Sequence, residues 1–142
     1  MFDRSLYVRV VVQVFLGLSS VSTGLIVTPA QAQEQHSAGF AVLQSQQLEA
    51  MLRNKDFLFV NVHIPYAGEI ENTDVFIPYD KIADNLGKLP KDKNAPIVLY
   101  CRSGHMSEMA AQQLADLGYT HVSHLNGGMI AWKKSGHPVI QK

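Results

Sequence analysis

Cys101 is the only cysteine of the 142-residue chain. It heads the segment Cys101-Arg102-Ser103-Gly104-His105-Met106-Ser107. A thiol attacks as its thiolate, and a helix N-terminus or a nearby cation favours that form. A short strand-to-helix loop can curl so that successive backbone N–H groups point inward. Such a nest, with a helix dipole behind it, holds an anion. Gly104 supplies the backbone freedom that a tight curl requires. Arg102 and His105 add positive potential. Read this way, the loop suits a thiolate, a persulfide formed from it, and an approaching anion such as thiosulfate. Taken alone, Cys-x-x-Gly also fits an ordinary strand-to-helix turn with Ser103 or Ser107 as N-cap. A lone cysteine also fits a small buried hydrophobe.

Other reactive side chains are less suggestive. His121 and His124 are three apart in an expected strand, so they face opposite sides, and no third ligand accompanies them; no metal site and no cofactor are expected. His63 lies in a loop that could border the cysteine, although a surface position suits it better. Trp132 reads as core or rim packing. Lys88, Lys91, Asp92 and Lys93 read as a solvated turn.

The elements around Cys101 follow from pattern. Phe40 to Leu43 reads as a strand. Ser45 is the expected N-cap of a helix to about Arg53, with Leu48, Met51 and Leu52 on one face. Phe57 to Val62 is a continuous apolar run, as suits a parallel strand buried on both faces. Val75 to Pro78 reads as a short strand and Tyr79 to Leu86 as a helix stopping near Gly87. Pro96 to Tyr100 is the second buried strand and leads directly into Cys101. A helix over Met106 to Leu117 would bury Met106, Ala110, Leu114 and Leu117, with Gly118 at its stop. Tyr119 to Leu125 is a further strand, and Met129 to Lys134 a last helix after Gly127-Gly128. Strands alternating with short helices imply an α/β domain with a mainly parallel sheet. Sites in such sheets lie at the carboxyl ends of strands, where Cys101 falls.

The N-terminus reads as a targeting segment. Arg4 and Arg9 precede an apolar stretch from Val10 to Val27, and Pro29 and Ala30-Gln31-Ala32 follow. This is the order of a signal peptide, with cleavage expected after Ala32. The rival is a retained anchor, since the stretch approaches the length that spans a bilayer. Residues 1–32 are read as the cleaved signal peptide, 33–38 as a flexible N-terminus and 39–142 as one domain. The expected location is exported, in the periplasm, with no stable membrane association after cleavage.

Composition fits one domain. Hydrophobic residues are 46% of the chain and the formal net charge is zero, so no basic excess points to nucleic acid. Loss of residues 1–32 removes Arg4, Arg9 and Asp3, leaving 10 basic and 11 acidic residues. A single cysteine excludes an internal disulfide, and a lone thiol in an oxidising compartment calls for a use.

Three stretches together resemble the rhodanese superfamily. The first is the loop from Cys101 to Ser107. The second is Asn126-Gly127-Gly128-Met129-Ile130-Ala131-Trp132, followed by Gly136-His137-Pro138-Val139. The third is Leu117-Gly118-Tyr119 leading to Val122 and Leu125. The resemblance covers roughly Phe40 to Ile140. It implies a rhodanese-like α/β fold, a five-stranded mainly parallel sheet with helices on both faces. It also implies a ping-pong sulfurtransferase, in which a donor such as thiosulfate leaves its sulfane sulfur on Cys101 as a persulfide. A thiol or cyanide acceptor then removes it. The N–H groups of Arg102, Ser103, Gly104, His105, Met106 and Ser107 would stabilise the charged sulfur, with Arg102 and His105 as substrate contacts.

The chain departs from the family pattern in places. Members often carry D-x-R after the second strand, where Asn61-Val62-His63 stands here. The usual G-H-I is matched only by Gly68-Glu69-Ile70. The last loop position is often Arg or Thr, and here is Met106. A sulfur-carrier or redox-sensing module with little turnover is the alternative. Phosphatases of this fold need C-x-x-x-x-x-R, and the sixth residue after Cys101 is Ser107, which argues against phosphoryl chemistry.

Overall fold

The structure is a computed structural model and describes His36–Ser37 and residues 39–142. The expected signal peptide therefore lies outside the described residues. Six strands form one sheet: β1 (His36–Ser37), β2 (Phe40–Leu43), β3 (Leu58–Asn61), β4 (Val75–Phe76), β5 (Ile97–Tyr100) and β6 (Val122–Leu125). Their spatial order is β1-β2-β6-β5-β3-β4. The five strands β2 to β6 run parallel, as expected. The sixth, β1, pairs antiparallel with β2 through His36–Ala41 and Ser37–Phe40. It comes from the segment read as a loose N-terminus, where two polar residues carry no strand pattern.

The central strand β5 is buried on both faces because it is apolar at every position. Within β5, Ile97 and Leu99 face one side, while Val98 and Tyr100 face the other; all four are buried. The first side packs under α2 (His105–Asp116) through Ala110, Ala111 and Leu114. The second packs under α1 (Ser45–Leu52) and α3 (Gly128–Lys134) through Leu48, Met129 and Trp132. Each fully buried aliphatic side chain contributes roughly 1.5–3 kcal/mol of apolar transfer. The two layers thus clamp β5 and fix the point at which it releases Cys101.

Several expectations are corrected. The N-cap of α1 is Gln44, not Ser45: its backbone is extended (ψ 161°), and its N–H donates to the Gln47 side chain at 2.8 Å. Ser45 is already helical and buried. Tyr79 to Leu86 is not an α-helix but two 3-10 segments, Tyr79–Lys81 and Ala83–Lys88. Asn85, inside the second, has non-helical angles, and its side chain donates to the Lys81 carbonyl at 2.8 Å. On α2, Ala110 and Leu114 are buried but Leu117 is exposed, because the helix closes at Asp116 before a last turn can bring Leu117 onto the sheet.

Candidate active site

Cys101 leaves the carboxyl end of β5, and α2 begins four residues later at His105. Between them the chain turns back so sharply that the Gly104 N–H donates to Cys101 Sγ at 3.0 Å. Gly104 is the N-cap of α2 and sits in the left-handed region at φ 100°. A side chain there would be strained. A Cβ at this position would also come within 2.9 Å of the Gly127 backbone nitrogen. The first turn of a helix has no intrahelical acceptors for its N–H groups. Those of His105, Met106 and Ser107 belong to that class.

The back of the loop rests on α3. The Met129 N–H donates to the Cys101 carbonyl at 2.9 Å, and the Ile130 N–H to the Arg102 carbonyl at 3.0 Å. Both bonds require the backbone of α3 to lie against the loop. Gly128, at φ 54°, permits this, since a Cβ there would come within 2.7 Å of the Arg102 carbonyl carbon. Gly127, at φ 70°, makes the turn into the helix. Gly128 therefore carries a packing requirement imposed by the Cys101 loop, whereas a Cβ on Gly127 would press on Ala131 of its own helix.

The loop side chains divide. Arg102, Ser103 and His105 are exposed, as entrance positions require. Met106 is half-buried and packs against the α2-side core. Ser107 is fully buried. Its hydroxyl donates to the Gly104 carbonyl at 2.9 Å and lies 3.2 Å from His124 Nδ1. Ser107 thus faces inward, away from the entrance. Cys101 itself has no exposed surface.

The strand beside the loop supplies its flank. Asn61 of β3 pairs with Tyr100, and the Val62 N–H donates to the Tyr100 carbonyl at 2.9 Å. Continuing that register brings His63 alongside Arg102. Burial, and secondarily the Arg102 guanidinium, lower the His63 pKa below its usual value, so the imidazole is neutral at neutral pH. His63 Nδ1 is buried without a hydrogen-bond partner among the described residues. His63 is therefore half-buried at the border of the site and not a surface residue. Asn61, where an acid is usual in the family pattern, is buried and holds the loop that follows. Its Nδ2 donates to the Gly68 carbonyl at 3.0 Å, and its Oδ1 accepts the His63 N–H at 3.1 Å.

Two roles were not anticipated from sequence. The Tyr100 hydroxyl accepts the Ile70 N–H at 3.0 Å and lies 2.6 Å from Thr73 Oγ1; burial pushes its pKa well up. It ties the 66–74 loop to the strand that carries Cys101. Lys133 joins Arg102 around a cavity of about 200 Å³ that Ala67, Met129, Ile130 and Val139 also line. Trp132 packs as expected, with its indole N–H donating to the Pro138 carbonyl at 3.1 Å and its ring stacked on His137. His121 is exposed and His124 buried, and no group of three potential metal ligands occurs among the described residues.

The family model of the rhodanese-like domain matches residues 45–135. A sulfurtransferase from Allochromatium vinosum is 33% identical over 102 residues, covering 69% of this chain and 92% of that protein. A tRNA uridine(34) hydroxylase from Buchnera aphidicola is 32% identical over 111 residues, and the match spans 34% of that longer protein. Among solved structures, the rhodanese-like domain of an Anabaena protein superposes with a TM-score of 0.62 at 24% identity, covering 70% of this chain and 78% of that one.

Proposed function

The chain belongs to the rhodanese-like domain family, and on that premise we propose that it is a sulfurtransferase that moves sulfane sulfur through a Cys101 persulfide. The observation that carries the proposal is the Gly104 N–H directed at Cys101 Sγ at 3.0 Å, inside a loop that α3 clamps from behind. A donor to sulfur favours its charged form.

In the first half-reaction the Cys101 thiolate attacks the outer sulfur of thiosulfate. The new S–S bond forms as the old one breaks, and sulfite leaves with the electron pair. Cys101 is left as a persulfide whose terminal sulfur is negative. The Gly104 N–H and the N–H groups of the first α2 turn would receive that charge. In the second half-reaction a thiol or cyanide attacks the terminal sulfur, and the Cys101 thiolate is the leaving group. Neither half-reaction calls for a cofactor or a metal. Arg102 and His105 are exposed and would meet an anionic donor, while Ser103 and Met106 would shape the rim. The site's partners are then small molecules, with no nucleic acid among them. The Ala30-Gln31-Ala32 motif supports a periplasmic setting.

Steady-state thiosulfate-to-cyanide transfer tests this reading. The Cys101→Ser protein should stay folded and show no turnover, because a hydroxyl cannot form a persulfide. Substantial turnover in a clean Cys101→Ser preparation overturns the mechanism.

One observation favours a second reading, a sulfur carrier with little turnover. Cys101 has no exposed surface, so a donor reaches it only if the rim moves. Stoichiometric loading without multiple turnovers would select the carrier.

A further inference from the structure

His124 has no part in the sulfur transfer described above, yet it is buried directly behind the loop. It sits on β6, paired with Leu99 of β5 on one side and Val42 of β2 on the other. Its Nδ1 lies 3.2 Å from Ser107 Oγ, and that hydroxyl donates its only proton to the Gly104 carbonyl at 2.9 Å. A hydroxyl that has spent its proton can only accept, so the bond from His124 is Nδ1–H to Ser107 Oγ. Gly104 in turn donates its N–H to Cys101 Sγ at 3.0 Å. Each of these four residues is buried. The series is therefore His124, Ser107, Gly104, Cys101, with every donor pointing towards the sulfur.

We infer that His124 is a positioning residue, whose Nδ1–H orients the Ser107 hydroxyl so that Gly104 is held in the left-handed turn that aims its N–H at Cys101 Sγ. The Gly104 carbonyl already accepts the Glu108 N–H at 3.0 Å. The Ser107 hydroxyl is its second donor, and His124 leaves that hydroxyl no other direction. Burial lowers the His124 pKa, with Glu108 opposing the shift. The neutral ring so favoured carries one proton, and the Ser107 bond assigns it to Nδ1. The imidazole also packs edge-on against Phe40, with ring centroids 5.5 Å apart at 75°. Packing and hydrogen bonding thus make separate demands on the residue, and two substitutions separate them. His124→Phe keeps a ring against Phe40 and loses the donor. His124→Asn loses the ring and keeps an N–H donor close to the position of Nδ1.

The inference rests on the sulfurtransferase reading for its catalytic consequence but not for its geometry, so the test has two readouts. The first is the amide proton resonance of Gly104, measured by NMR in the wild type and both variants. The second is kcat and KM for thiosulfate. In His124→Phe the Gly104 resonance should move upfield and kcat should fall about three- to tenfold, the scale of one hydrogen bond, with KM little changed. In His124→Asn both should return close to wild type, although the protein is less stable. Equal impairment of the two variants, greater impairment of His124→Asn, or no effect in either would overturn the inference. A wild type that transfers no sulfur removes the functional reading, while the Gly104 resonance still decides the positioning role.

Discussion

Met129 donates its backbone N–H to the carbonyl of Cys101 at 2.9 Å, so the start of α3 forms the floor on which the nucleophile's loop is built. The two segments are far apart in sequence and close only because β6 lies next to β5. The approach leaves no room for a side chain on the intervening residue, Gly128.

Gly128→Ala should therefore damage both stability and site. Its φ of 54° is costly for alanine, and the added Cβ would press on the carbonyls of Cys101 and Arg102. We expect a loss of roughly 2–4 kcal/mol by urea unfolding, with sulfur transfer reduced in the fraction that remains folded. Gly87→Ala is the control, since a Cβ there meets nothing within 4 Å and should change stability by less than about 1 kcal/mol.

Arg102 is exposed, which limits how much its charge can contribute. Arg102→Ala should lower kcat/KM for dianionic thiosulfate by about three- to tenfold at low salt. A neutral donor should be less affected, and the difference should shrink at high salt. Kinetics with both donors at two ionic strengths check this. Equal effects on the two donors would mean that the side chain does not read donor charge.

The pattern of residues carried the arrangement around Cys101 far. Continuous apolar runs marked β3 and β5, and the family resemblance singled out the Cys101 loop and Gly127-Gly128, which prove to touch. What stayed hidden was whatever depends on direction between distant elements. Ser107 looked like a cradle residue because it lies in the loop, but the first turn of α2 rotates it inward onto His124. His124 looked like half of an incomplete metal pair, because sequence does not disclose that Ser107 lies across from it. The hydrogen bonds of Tyr100 to Ile70 and Thr73 leave no trace in periodicity, since an aromatic residue in a buried strand reads as core whatever its hydroxyl does. The helix expected over Tyr79 to Leu86 failed for a local reason. Asn85 breaks the helical backbone, and its side chain takes up a carbonyl of the preceding turn.

Two imidazoles, buried His124 and half-buried His63, set a pH dependence. Burial lowers the pKa of both His63 and His124, so over a range below their ordinary value of 6.5 the unfolded chain binds more protons than the folded one. Stability then rises with pH across that range. Their contribution is present above pH 6.5 and is lost as pH falls towards their folded-state values. Urea midpoints should decline on going from pH 7.5 to pH 5, and the decline should be shallower in His124→Asn than in the wild type. An identical slope in the two proteins would remove His124 from the account.

The export proposal has its own check. Protein recovered from the native host should begin at Gln33, as read by N-terminal sequencing. A chain that retains Met1 and fractionates with membranes would instead support the anchor.

The most direct test of the central claim is the intact mass of the protein after exposure to thiosulfate. A persulfide on Cys101 predicts one added sulfur atom, a gain of about 32 Da. The gain should be reversed by cyanide and absent from Cys101→Ser. No adduct on the wild type with any sulfane donor, or the same adduct on Cys101→Ser, would contradict a Cys101 persulfide as the carrier of sulfur.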